Sequence, residues 1–137
     1  MKNLFSHKGV AALELALLMP ILLALTFGLI EFGLLMYNQQ VITNAAREGA
    51  RRGIVQHVPH IQTTEIEQTV HNYADTHLVT FGASTVPTVS VPAICAAFGD
   101  NLTVTVTYPY TFLVITNFTP GLGNLLNIRS EAVMKCE

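Results

Sequence analysis

The sequence predicts an α+β protein: a long N-terminal transmembrane helix that extends into a small head, where a second helix lies on a roughly three-stranded antiparallel sheet. Three observations carry this. An apolar run opens the chain and passes into an amphipathic pattern that lasts to Gly53. A stretch at about 63–80 repeats its apolar residues at three- and four-residue steps. Two later stretches, 102–110 and 128–136, alternate apolar and polar residues, the period of a half-buried strand. The expected organisation is a cytoplasmic leader at 1–9, a long helix at 10–53 crossing the membrane at about 10–30, and an extracytoplasmic head at 54–137.

The apolar run extends from Val10 to Ile30, 21 residues with a single charge, Glu14. As a helix it is roughly 31 Å long, about the thickness of a bilayer's hydrocarbon core. A carboxylate in such a run costs about 2.5–3.5 kcal/mol at mid-helix and less near the interface. Glu14 therefore needs a partner or a shallow position, and the run holds no Lys or Arg. A basic group on another chain would serve, and so would the headgroup layer. Pro20 removes one backbone hydrogen bond and predicts a kink.

Past Glu31 the helix turns amphipathic, with Leu34, Tyr37, Val41 and Ala45 on one side and Asn38, Gln39, Gln40, Thr43 and Asn44 marking its exit from the membrane. Ala45, Gly49 and Gly53 recur at spacing four, a small-residue face that lets another backbone come close and a candidate partner face. Glu48 and Arg52 stand at i, i+4 in the favourable order. The second helix opens on Thr64-x-x-Glu67, a capping-box pattern. Ile66, Val70, Tyr73, Ala74, His77, Leu78 and Phe81 fall on its apolar face.

Val86, Val89 and Val91, with Pro87 and Pro92 beside them, predict a short edge strand. In 102–110, Leu102, Val104, Val106, Tyr108 and Tyr110 alternate with threonines, the cleanest strand pattern in the chain. A loop follows at 111–127, apolar at Phe112, Leu113, Val114, Ile115 and Phe118. Ile128, Ser130, Ala132, Met134 and Cys136 then mark the inner side of a last strand.

Two cysteines in an exported head read first as a disulfide. If the strands near 86–91 and at 102–110 pair as a hairpin, and the last strand runs back antiparallel, Cys136 arrives at the edge holding Cys95. Two separate thiols are the alternative.

Charge orients the chain. The formal net charge is −2; without Lys2 and Lys8 five basic residues face nine acidic ones, a net of −4. Basic residues before the run and an acidic excess after it place the N-terminus in the cytoplasm. The bases Arg47, Arg51 and Arg52 are too few for a nucleic-acid footprint. His57, His60, His71 and His77 lack metal-ligand clustering, and no phosphate loop or nucleophile motif is present. Neither catalysis, a metal nor a cofactor is expected.

The run itself has three readings. A secretory signal peptide would end on a small-x-small site, whereas Glu31-Phe32-Gly33-Leu34 follows here. A plain signal anchor fits the length and flanks and leaves Glu14 unexplained. Cleavage on the cytoplasmic side, directly before the helix, would leave a chain beginning at Val10.

For that third reading there is a resemblance. Gly9, four residues and then Glu14 resembles the type IV prepilin peptidase site. With Glu14-Leu-Ala-Leu-Leu-Met-Pro20, Glu31-Phe-Gly33 and Asn44-Ala-Ala-Arg-Glu-Gly-Ala-Arg51 in order, the segment resembles the TadE-like pseudopilins of the Tad (Flp) pilus system. One position departs from the family pattern: Leu15 stands where Phe or Tyr is common. The resemblance implies cleavage of the Gly9–Val10 bond by a prepilin peptidase. It implies that Glu14 meets the new N-terminal amine of a neighbouring pilin or pseudopilin. It also implies an inner-membrane secretion platform and the lipid bilayer as partners. The alternative function is a single-pass anchored binding or sensing module with a small external head.

Overall fold

The computed structural model describes residues 6–55, 61–81, 85–114 and 126–136. Helix α1 (Ser6–Ile54) is a single element of 49 residues, about 74 Å long. Helix α2 (Thr63–His77) follows, then strands β1 (Thr88–Ser90), β2 (Asn101–Tyr110) and β3 (Leu126–Lys135). The sheet order is β1-β2-β3 and both pairings are antiparallel. This is the α+β architecture the sequence predicts, with α1 starting four residues before the expected Val10. Helix α1 runs unbroken through Pro20. Inside the apolar run the Thr26 hydroxyl donates to the Leu22 carbonyl at 2.8 Å, which satisfies its polar group within the helix.

The core lies between the upper half of α1, α2 and one face of the sheet. Leu102, Val104, Val106, Tyr108 and Tyr110 are all buried, as the alternation requires. They meet Ile42, Ala45, Ala46 and Ala50 of α1, Ile66 and Val70 of α2, and Ile128, Ala132 and Cys136. β2 runs antiparallel to α1: Leu102 reaches Gly53 and Tyr110 reaches Glu31.

Closeness to α2 and β2 explains the glycines. A methyl placed on Gly49 would stand 2.5 Å from Val70 Cγ2, and one on Gly53 would stand 2.5 Å from Leu102 Cδ2 and 2.7 Å from Ile66 Cδ1. The face of Ala45, Gly49 and Gly53 is thus filled by the chain's own head, which corrects its reading as a partner face.

Four local expectations also change. α2 is capped at Gln62, in extended backbone with no side-chain cap hydrogen bond, and Thr64 is already helical. Glu48 pairs with Arg51 at 2.7 Å rather than with Arg52, which reaches across to Glu65 of α2 at 3.5 Å. α2 ends at His77 rather than near 80, with the Leu78 N–H bonded to the Ala74 carbonyl at 2.8 Å. His77 and Phe81 are exposed rather than core-facing, and Phe81 adopts a left-handed backbone, φ 46°.

The cysteines are joined: Cys95 and Cys136 form a disulfide with Cα atoms 5.8 Å apart. Its topology is the one argued from strand order. Past Lys135, the Cys136 N–H donates to the Asp100 carbonyl and the Gly99 N–H donates to the Cys136 carbonyl. Ile115, Phe118, His57 and His60 lie outside the described residues.

Candidate functional site: the N-terminal helix and its junction with the head

Below Glu31 every described side chain of α1 is exposed, from Gly9 to Ile30. This is a helix long and apolar enough to cross a membrane, and no part of its apolar window is buried against the head. Gly9 and Val10 stand in its second turn, with open space where a Gly9 side chain would be. Glycine weakens a helix by about 1 kcal/mol relative to Ala, so a helix end frays readily there. Glu14 is exposed on the same segment, and the three ion pairs among the described residues all lie elsewhere.

A groove winds along this segment. Ala12, Ala16, Pro20, Ala24 and Gly28 recur at spacing four along its floor, and Leu15, Met19, Leu23 and Phe27 form a wall. The groove ends at the head, against Glu31 and Val114. Sequence reasoning found a small-residue repeat at 45, 49 and 53 and passed over this one. Its signal was present: four Ala or Gly residues and Pro20 on a strict four-residue step.

Glu31 marks the junction between the apolar run and the head. It is 2% exposed, a buried acid at the point where the apolar run ends. Its Oε1 accepts the backbone N–H groups of Leu113 and Val114, the latter at 3.1 Å. The Tyr110 hydroxyl donates to the Glu31 carbonyl oxygen at 3.4 Å, and the Tyr110 ring meets Phe112 edge-on at 5.3 Å. Burial pushes the Tyr110 phenol above its usual pKa, helped by the Glu31 carboxylate and by Tyr108. A carboxylate that satisfies two backbone donors where no ladder continues fixes the end of β2 to the foot of the head.

About two turns up, Asn38 is fully buried and does similar work. Its Nδ2 donates to the Val79 carbonyl at 3.0 Å and its Oδ1 accepts the Val79 N–H at 3.1 Å. This backbone-like pair holds Val79 just beyond the end of α2. Of the histidines, His77 Nδ1 lies 2.8 Å from the Tyr73 carbonyl and its ring stacks on Tyr73 at 4.4 Å. Among the described residues no three His, Cys, Asp or Glu side chains gather as a metal site would require.

Residues 9–51 match the family model of TadE-like protein. The matched segment is α1 from the glycine of the candidate cleavage site to the last Arg of the Asn44–Arg51 stretch, so the resemblance read from those motifs stands. No curated protein and no solved structure matches the chain.

Proposed function

We propose that this chain is a pseudopilin, or minor pilin, in the assembly of a Tad (Flp-type) pilus. It is inserted in the bacterial inner membrane with its N-terminus in the cytoplasm. A prepilin peptidase cuts between Gly9 and Val10, and α1 then docks beside the helices of other pilins or pseudopilins at the secretion platform. The observation that carries this reading is the TadE-like match, which begins at Gly9 itself and covers the exposed helix.

Physical chemistry supports each step. Glu14 pairs with no described basic residue of its own chain. The amine freed at Val10 of a neighbour would sit at the right depth to meet it. In lipid, helices associate by close packing rather than by hydrophobic burial, which favours small residues at the contact. The floor from Ala12 to Gly28 has that composition. A disulfide in the head suits an oxidising compartment beyond the membrane.

The mature N-terminus is the test. Intact mass of membrane-extracted protein, made in a host carrying the matching peptidase, should correspond to loss of residues 1–9. An uncleaved chain, or a cut beyond residue 24, refutes the pseudopilin reading and leaves a signal-anchored or secreted binding module.

A further inference from the structure

Among the described residues, the end of the head nearest the apolar run exposes apolar side chains and no charge. Three separate elements meet there. β2 ends at Tyr110, on the Glu31 carbonyl. β3 begins beside it, with Leu126 paired to Tyr110. The segment after α2 arrives through Val79, held by Asn38, and Phe81 lines a small cavity with Tyr110, Thr111 and Leu113. At this level Phe32, Phe81, Leu113 and Leu126 are all exposed, Phe81 by 60% and Leu113 by 43%.

Sequence and fold divide the charges to match. No Asp, Glu, Lys or Arg occurs in 32–46, 78–99 or 101–128. On α1 the first charge above Glu31 is Arg47, and Asp100 stands at the opposite end of β2. Glu31 is turned inward, its carboxylate on the Leu113 and Val114 N–H groups. Val114 and Glu31 close the groove lined by Phe27 and Gly28. The apolar end of the head is therefore continuous with the surface of the apolar run.

We propose that the head rests on the bilayer, with Leu113, Val114 and Phe81 seated in the interfacial layer around the exit of α1. The occupant is the lipid of the membrane that α1 crosses, so the inference rests on the spanning reading given above. With no charge in the patch, contact is apolar and needs no anionic lipid. Glu31 is the positioning residue: it ties the 113–114 backbone to the helix at the depth where hydrocarbon gives way to headgroups.

The chain contains no tryptophan, so one introduced ring reports without background. Full-length Leu113→Trp, Phe81→Trp, Leu22→Trp and Phe98→Trp would each be reconstituted in phosphatidylcholine vesicles carrying brominated acyl chains. Phe98, 84% exposed, precedes β2 at the far end of the head. From Glu31 to Gly53 the helix rises about 33 Å, which sets that end well clear of lipid.

Bromines near the headgroup end of the chains should dim Leu113→Trp and Phe81→Trp and blue-shift them. Bromines near the bilayer centre should dim Leu22→Trp most, and Phe98→Trp should be dimmed by neither. If Leu22→Trp is quenched while Leu113→Trp and Phe81→Trp emit like Phe98→Trp, the interfacial seat is wrong and the spanning helix stands. If Leu22→Trp is also unquenched, the spanning reading fails and the inference with it. Two independent reporters in the patch keep the test decisive should one substitution unfold the head.

Discussion

Gly49→Ala tests the packing on which the head depends. The added methyl would lie 2.5 Å from Val70 Cγ2, 3.4 Å from Ile66 Cγ2 and 3.5 Å from Val104 Cγ1. Val70 cannot swing aside cheaply, because a β-branched side chain in a helix has one strongly preferred rotamer. Relief must come from moving α2 away from α1. Overpacking of this kind costs about 1–3 kcal/mol, and the gain in helix propensity returns about 1 kcal/mol. A 2.5 Å approach to a side chain that cannot turn away falls in the upper part of that range, about 2–3 kcal/mol, so the expected net loss is about 1–2 kcal/mol, or a fall in Tm of about 4–16 °C for a head of this size.

The assay is thermal unfolding of the full chain in mild detergent, followed by near-ultraviolet dichroism of the packed tyrosines. Gly33→Ala is the matched control, since nothing lies within 4 Å of its added methyl. It should hold or raise the Tm. Gly53→Ala should fall between the two, because the atoms it meets are the far ends of Leu102 and Ile66. A Gly49→Ala head that melts at or above the parent would refute the close approach of α1 and α2.

Asn38→Ala leaves both polar groups of Val79 without their side-chain partner and should destabilise the head by about 2–3 kcal/mol, read by the same melt. Reduction of Cys95–Cys136, 41 residues apart in sequence, should cost about 4 kcal/mol in the chain-entropy account; comparing melts with and without reductant checks it. Hydrogen-bonded by Arg51, the Glu48 carboxyl titrates below its usual range, so the pair supports the fold above the unfolded-state pKa. That support fades as pH falls through the folded-state value, and because the pair is solvated Glu48→Gln should flatten a shallow acid limb without moving the neutral-pH Tm. Glu14→Gln and Ala16→Leu should each leave membrane insertion and head Tm unchanged while reducing crosslinks to neighbouring pilins; undiminished crosslinking would return Glu14 to a headgroup contact and the groove to plain lipid.

Legibility followed periodicity. β2 and β3 were readable because their inward residues alternate without exception, and of the two readings of Cys95 and Cys136 the structure has the one that the expected strand order favoured. The ends of α2 were not readable. Its start pattern, Thr64 to Glu67, begins at the second residue of the helix rather than at its cap, and the backbone just past its finish is held by Asn38, 41 residues before Val79. The Glu48–Arg52 pair failed for a similar reason: Glu65 on another element competes for Arg52. The small face at 45–53 was correctly read as a place of close approach. A single chain's pattern could not say whether the approaching backbone would be its own, and α2 supplied it. Glu31 was hidden because an acid ending an apolar run looks like an ordinary exit from the membrane. Its role depends on β2 ending at the same height, which only the fold supplies.

Helix α1 carries two different encodings on one rod. Above Glu31 it is surrounded by water and protein, so polarity separates core from surface: Asn44 and Arg47 are exposed while Ala45, Ala46 and Ala50 are buried. Below Glu31 the residues are almost uniformly apolar, and in lipid polarity no longer distinguishes one face from another. Size does. The step from Ala12 to Gly28 marks a winding groove by what is missing, with Leu15, Met19, Leu23 and Phe27 beside it as a wall. Glu31 sits where the two encodings meet, at the end of that wall's four-residue step and turned into the head. The helix can thus fix its own head by polarity above and leave a shaped surface below. The proposed assembly role, in which the chain first stands alone in a membrane and then joins other helices, calls for both.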